Sequence, residues 1–347
     1  MARARGPDES RRDVLRSLGV FAGAAASLVL PSESAAAAPT IAVPGKLPRR
    51  ALGKTGVEVS ILALGGYHLG VLKDEDEAKR VVHASIDAGM TFFDNAWEYH
   101  DGKSEEWLGK ALVGKRQQAF VMTKVCTHGR GRAEAMKQLE QSLKRLRTDH
   151  LDLWQVHEVI YDDDPDRHYA TEGVLEGVAL AKKQGKARFV GFTGHKDPSL
   201  LLAMIDKGFP FDTLQMPLNV FDASFRSFEQ KVLPRARERG LGVLGMKALS
   251  GGGEAVKAGV ISPEEALRYT LSLPVASVVS GIDSVHVLEQ NLRIARELKP
   301  MTKEEMTSLR ERMRKHARDG RYELYKSTTG YDGKPGREQH GLGGAEE

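Results

Sequence analysis

From residue 59 onward, short apolar runs alternate with longer amphipathic, charged stretches. The runs are VSILALGG (59–66), TFFD (91–94), AFVMTKV (119–125), LDLWQVH (151–157), RFVGFTG (188–194), DTLQMPLN (212–219), LGVLGMK (241–247) and ASVVSG (276–281). Each is rich in β-branched or aromatic residues and reads as a strand. Between them, stretches such as EDEAKRVVHASIDAG, RAEAMKQLEQSLKRLRTD and DPSLLLAMIDKG read as helices. Strand and helix alternating eight times predict an α/β fold, a (β/α)8 barrel of the TIM type. A doubly wound sheet is the competitor, but it needs a switch in the pattern that these units do not show.

Local signals agree. Ser262-Pro263-Glu264-Glu265 and Thr302-Lys303-Glu304-Glu305 are capping boxes that start helices, and Gly208 and Gly240 stand where helices end before a strand. RALGKTGVEVS (50–60) predicts an N-terminal β-hairpin turning at Lys54-Thr55-Gly56, placed to plug the barrel bottom. Beyond Lys315 the helical pattern fades into a Gly-rich, polar stretch with three tyrosines. That tail either lies over a barrel opening or extends into solvent. The resulting division is an export segment over 1–38, a linker over 39–48, a barrel over 49–320 and a tail over 321–347.

Composition narrows the class. The chain has 347 residues and 41% hydrophobic content, enough for one α/β barrel or two ordinary domains. Its 51 basic and 47 acidic residues nearly cancel, so nothing demands a nucleic-acid partner. The first residues run from arginines through an apolar Ser17–Leu30 stretch to small residues at Ser32–Ala38. That order is a secretory plan, too short for a resident membrane helix, with cleavage expected near Ala36–Ala38. Ser10-Arg11-Arg12-Asp13-Val14-Leu15-Arg16 resembles the twin-arginine motif, which implies the export machinery as partner and the periplasm as destination. A disordered basic extension is the plainer alternative. Cys126 is the single cysteine, so no intrachain disulfide can form.

In such a barrel the carboxyl ends of the strands carry the chemistry. Asp94 closes the second run, Lys124 lies near the end of the third, His157 ends the fourth, and Tyr99 follows in the loop after Asp94. A phenol, with an ordinary pKa of about 10, needs help to move a proton near neutrality. A neighbouring lysine favours its anion, a carboxylate keeps that lysine charged, and an imidazole orients a carbonyl oxygen. Together they form a general acid for an oxygen that gains negative charge. Singly, each residue also reads as a cap, a surface ion pair or a packed side chain. A metal site built from His68, His100, His157 and His195 lacks any HExxH or closely spaced pair, so no metal is expected.

At these residues the chain resembles the aldo-keto reductase family, over about Arg50 to Leu298. RALGKTGVEVSILALGG is similar to the family's opening hairpin and first strand, and FFDNAWEYHDGKSEEWLGKAL to the segment carrying acid and tyrosine. MTKV is similar to its lysine strand and LRTDHLDLWQVHE to its histidine strand. The resemblance implies a catalytic tetrad of Asp94, Tyr99, Lys124 and His157. It also implies hydride transfer between NADP(H), or alternatively NAD(H), and a small-molecule aldehyde or ketone. A nicotinamide-binding barrel serving as a non-catalytic sensor or auxiliary subunit is the other reading. The family's iron–sulfur variants are ruled out by the single cysteine.

The implied cofactor contacts are spread along the later strands. Gln215 matches the residue that holds the nicotinamide carboxamide; Thr193 stands for a serine and Gly194 for an asparagine, whose amide is lost. Met246 takes the place of a stacking tyrosine. Lys247, Ser250 and Gly251 fall where backbone N–H groups approach a pyrophosphate. SGIDSVHVLEQNLRIA (280–295) resembles the adenosine segment, with Gly281, Asp283, Gln290 and Asn291. An acid at Asp283 disfavours a 2′-phosphate. No GxGxxG is placed for a Rossmann site. His195 reads either as a substitute donor or as a surface residue. Trp97 and Tyr161 suggest a substrate wall, and Asp162 to Asp164 a solvated acidic run. A monomer or weak oligomer is expected.

Overall fold

The computed structural model describes residues 47–127 and 131–342. The export-like segment, residues 39–46 of the linker and the final residues 343–347 lie outside the described residues, and with them the readings made of residues 1–38.

Ten strands occur among the described residues: β1 (Arg49–Ala51), β2 (Glu58–Ser60), β3 (Leu62–Gly65), β4 (Phe92–Asp94), β5 (Phe120–Cys126), β6 (Leu151–His157), β7 (Ala187–Thr193), β8 (Thr213–Pro217), β9 (Gly242–Met246) and β10 (Ser277–Gly281). Strands β3 to β10 close into a barrel of parallel pairs, with β10 beside β3. Each predicted apolar run overlaps one of these eight strands, β5 and β7 reaching one residue beyond theirs, so the barrel wins over the doubly wound sheet.

Two apolar layers hold it. Phe92, Phe120, Met122, Leu153 and Leu244 fill the interior with Leu52 and Val59 of the hairpin. A second, larger layer joins the outer strand faces to the helices. Fully burying a side chain such as Leu52 contributes about 1.5–3 kcal/mol, so the hairpin is a structural plug. Its turn fits closely: Gly53 has φ +54°, and a Cβ there would stand 2.3 Å from the Gly242 nitrogen. Arg50 ties the same hairpin to the Leu271 and Val275 carbonyls at 2.7 and 3.0 Å.

The helices start where their caps predict. Asp74 accepts from the Glu77 N–H at 2.8 Å, and reciprocal capping boxes at Ser262 and Thr302 open Pro263–Ser272 and Lys303–Ala317. After Ala317 the tail crosses the carboxyl rim and is anchored there. Lys326, wholly buried, donates to Asp222 Oδ1 at 2.6 Å and to the Phe225 carbonyl at 2.7 Å, and lies 2.8 Å from Glu323 Oε1. Of the two fates open in the sequence, the tail takes the one over the opening.

Candidate active site

Strand register sets the positions. Asp94 pairs with Met122, Lys124 with Gln155, and Cys126 with His157, which lifts three chemically active side chains to one rim. The Lys124 ammonium lies 2.5 Å from Asp94 Oδ1, donates to the Asn95 carbonyl at 2.7 Å and reaches the Tyr99 hydroxyl at 3.4 Å. Asp94 is 4% exposed and Lys124 1%, so the pair is shielded from water and from salt. The His157 ring meets Tyr99 edge-on, 5.8 Å between centroids and 83° between planes. The four side chains converge.

A tight turn holds Tyr99 there. His100, Asp101 and Gly102 take φ of +52°, +56° and +91°, reversing the chain before the helix Lys103–Ala111. Left-handed backbone costs a non-glycine residue roughly 1–2 kcal/mol, so surrounding contacts must hold it. Arg145 donates to the Trp97 carbonyl at 2.8 Å and to buried Glu105 at 3.1 Å, and Thr123 donates to the other Glu105 oxygen at 2.6 Å. Trp97 is turned toward Gln141, to which its indole N–H donates at 2.7 Å. It serves this framework, where a substrate wall was expected.

Burial, followed by Asp94, Glu98 and Glu158, drives the Tyr99 pKa well above its ordinary value. The sequence suggested that Lys124 would favour the phenolate. Here desolvation and the surrounding carboxylates outweigh that effect. Tyr99 therefore keeps its proton.

The residues expected around a cofactor divide into two groups. Thr193 ends β7 with its hydroxyl buried and without a hydrogen-bond partner among the described residues. Next to it, Gly194 packs so closely that a Cβ would stand 2.5 Å from Leu201 and from the Val159 carbonyl. Gln215, buried on β8, accepts from Gln155 Nε2 at 2.8 Å. Met246 is half-buried against the interior core. Beyond it the tail intervenes. The Lys247 ammonium lies 5.3 Å from the ring centroids of both Tyr325 and Tyr331. Burial pushes its pKa down, against the pull of Glu158. Ser250 donates to the Tyr322 carbonyl, and a Cβ on Gly251 would come 2.9 Å from the Tyr331 hydroxyl.

Gly281 faces the His68 ring, which a Cβ there would approach within 2.4 Å. Asp283 is exposed and Gln290 half-buried, while Asn291 is buried and donates to Ser280 Oγ at 3.0 Å. His195 is no surface residue. It is 3% exposed, with Nδ1 3.2 Å from Glu158 and Nε2 3.7 Å from Asp332 of the tail. Asp164 also departs from the solvated acidic run, because its buried carboxylate accepts the Ile160 and Tyr161 N–H groups at 2.9 Å each.

The Aldo/keto reductase family pattern matches residues 61–258, more than half of the 347. The chain belongs to that family. It is similar to the uncharacterized oxidoreductase YrpG of Bacillus subtilis (strain 168), 32% identical over 229 residues that make up 59% of this chain and 68% of the relative. L-galactose dehydrogenase of Arabidopsis thaliana is 28% identical over 299 residues, 76% of this chain and 92% of the relative. Among solved structures, aldo-keto reductase AKR11C1 from Bacillus halodurans (holo form) superposes with TM-score 0.65 and 25% identity, covering 81% of this chain and all of the other.

For this aldo/keto reductase, the fit of a nicotinamide dinucleotide differs along its length. Among the described residues the buried Thr193 hydroxyl beside Gln215 has no hydrogen-bond partner, and such a group is open to a polar ligand. In the Lys247–Gly251 loop the tail stands close: the Lys247 ammonium faces the Tyr325 and Tyr331 rings, and the Ser250 hydroxyl is bonded to the Tyr322 backbone carbonyl. Sequence reasoning missed Glu98, which accepts from His157 Nδ1, and the Glu105–Arg145 clamp. It also missed Asp332, held by Lys196 at 2.5 Å and Tyr161 at 3.0 Å. Glu98 had a local signal, an acid directly before the tyrosine; Asp332 had none.

Proposed function

We propose that the chain transfers a hydride between a nicotinamide cofactor, NADP(H) or NAD(H), and an aldehyde or ketone, with Tyr99 as general acid in reduction. The cofactor, when bound, supplies the hydride. Thr193 and Gln215 would hold its carboxamide end, and Lys247, Ser250 and Gly251 its phosphates.

Tyr99 gives its proton to the carbonyl oxygen as negative charge grows there. An alkoxide is a far stronger base than a phenolate, so this transfer runs downhill even from a phenol held above its ordinary pKa. Lys124 then faces the new phenolate across 3.4 Å, while Asp94 keeps the ammonium fixed in a buried site. His157 supplies the second contact to the oxygen. One observation carries the reading: a buried ammonium whose third N–H points at a protonated phenol on the barrel's carboxyl rim.

The test is Tyr99→Phe. It removes only the hydroxyl, so carbonyl reduction across an aldehyde and ketone panel is expected to fall by about 10²–10⁴, with dinucleotide affinity largely kept. Equal turnover by both proteins would end the assignment. Running the panel with both reduced cofactors also settles their order, since exposed Asp283 favours a free ribose hydroxyl over a 2′-phosphate. We further propose that residues 1–38 direct export by the twin-arginine route. Replacing Arg11 and Arg12 with Lys should retain a reporter fusion in the cytoplasm, and unchanged export would refute this.

A further inference from the structure

The loop that carries Tyr99 is built around a guanidinium. Arg145, in the last turn of the helix Arg132–Leu146, donates from Nη1 to the Trp97 carbonyl at 2.8 Å and to Glu105 Oε2 at 3.1 Å. The far end of the loop closes on the same group: Gly102 has φ +91°, and a Cβ there would stand 2.2 Å from the guanidinium carbon. Trp97 and Gly102 bracket Tyr99, so the phenol hangs from a turn whose two ends rest on one planar cation. The helix is fixed at this point as well, because a Cβ on Gly109 of the helix Lys103–Ala111 would come 2.2 Å from the Arg145 carbonyl oxygen. These contacts form a closed circuit with the lysine strand. The Trp97 N–H donates to the Lys124 carbonyl at 3.2 Å, and Thr123, the residue before Lys124, donates to Glu105 Oε1 at 2.6 Å. From Lys124 the path runs through Trp97, Arg145 and Glu105 back to Thr123.

We propose that Arg145, held by Glu105, is a positioning residue for Tyr99: its bonds to the Trp97 carbonyl and to Glu105 fix the loop so that the phenol stands within reach of the Lys124 ammonium. The inference rests on the reductase reading and adds to it a residue that acts through the phenol. The Lys124–Tyr99 contact of 3.4 Å is already at the long end of a hydrogen bond, so a drift of the turn by about an ångström breaks it. A misplacement of that size costs on the order of 10² in rate. The Glu105 side chain is wholly buried and that of Arg145 21% exposed, so water and salt weaken their bond little. A guanidinium suits the place because its N–H groups point in fixed directions, whereas a lysine would bring a point charge on a flexible stem.

Four full-length proteins make the test: wild type, Arg145→Met, Tyr99→Phe and the two replacements combined. A fifth, Glu105→Gln with Arg145→Met, removes the buried carboxylate that Arg145→Met strands, and so keeps the test open if Arg145→Met alone does not fold. Turnover per folded molecule at saturating cofactor should fall about 10- to 100-fold in both proteins that lack the guanidinium but keep Tyr99, with dinucleotide affinity changing little. Arg145→Lys, which keeps the charge without the planar fork, should fall in between. In the Tyr99→Phe background, Arg145→Met should change the residual rate by less than about twofold, because its effect passes through a hydroxyl already removed.

Full turnover without the guanidinium while Tyr99→Phe is inactive would overturn the proposal. So would losses that multiply in the combined variant, since Arg145 would then act elsewhere than through the phenol. Full turnover in Tyr99→Phe would instead defeat the reductase reading. Hydrogen exchange at the Asp101 N–H, whose bond to the Glu98 carbonyl at 3.1 Å closes the turn, would still decide whether Arg145 holds the loop. Faster exchange in Arg145→Met is expected, and unchanged protection would refute the hold.

Discussion

Two lysines, one on each side of the barrel mouth, are equally buried and both rest on an aspartate. Lys326, in the tail, spends its three N–H groups on three good acceptors: Asp222, Glu323 and the Phe225 carbonyl, all within 2.8 Å. Lys124, in β5, has only two, Asp94 and the Asn95 carbonyl, and its remaining contact is the Tyr99 hydroxyl at 3.4 Å. An ammonium has three donors and no acceptor, so one lysine is saturated and the other keeps a donor in reserve. A buried ion pair by itself therefore says nothing about chemistry. The long third contact, aimed at the phenol proposed as general acid, is what separates the proposed site from the anchor.

The largest expected effects test that distinction. Replacing either lysine with Met strands at least one buried carboxylate, which costs about 3–5 kcal/mol in an urea melt. Only Lys124→Met should also lower turnover per folded molecule, by about 10²–10⁴, because only that ammonium faces the phenol. Lys326→Met should retain the wild-type rate at saturating cofactor. Comparable losses of turnover in both would mean that saturation does not mark the anchor.

The same contrast explains what was legible in the sequence. Asp94, Lys124 and His157 sit at the ends of apolar runs, and parallel register carries strand ends to one rim whatever the helices do. Their convergence could be read from period alone. Lys326, Asp332 and Tyr331 belong to a polar, Gly-rich stretch with no periodicity, and each finds a partner 77 to 171 residues away: Tyr331 with Glu254, Lys326 with Asp222 and Asp332 with Tyr161. No local pattern encodes such pairings. The upward push on the phenol was not legible for a related reason: sequence shows which charges are near in the chain, whereas Glu158 and the depth of burial are set by folding.

Asp332 offers a milder way to loosen the tail side. Burial pushes its carboxyl up, but His195 and Lys196 pull harder and leave it below its ordinary 3.8. A group depressed in the folded state contributes its stability above the unfolded value and loses it as pH falls through the folded one. The clamp should thus hold throughout the neutral range and open only in acid below 3.8, seen as protease cleavage or hydrogen exchange confined to the tail. Asp332→Asn should open it at neutral pH, at a cost of about 1.5–3 kcal/mol for charge-assisted bonds. A tail that stays protected in that variant would place its hold elsewhere, at Lys326.

The smallest effect is the most telling about the cofactor loop. Lys247 is flanked by two aromatic rings, and phosphates can take its charge only if it gives up those contacts. A cation–ring contact at a partly desolvated site is worth about 1 kcal/mol, so Tyr331→Ala should strengthen ADP-ribose binding roughly fivefold in a direct titration. Tyr331→Phe keeps the ring and loses only the hydroxyl's bond to Glu254 at 3.1 Å, so it should stay near wild type. By reciprocity, ADP-ribose should expose the tail to exchange in the wild type by the same factor. If Tyr331→Ala binds ADP-ribose no better, or worse, the rings do not compete for Lys247, and the tail side of the mouth assists the cofactor it now covers.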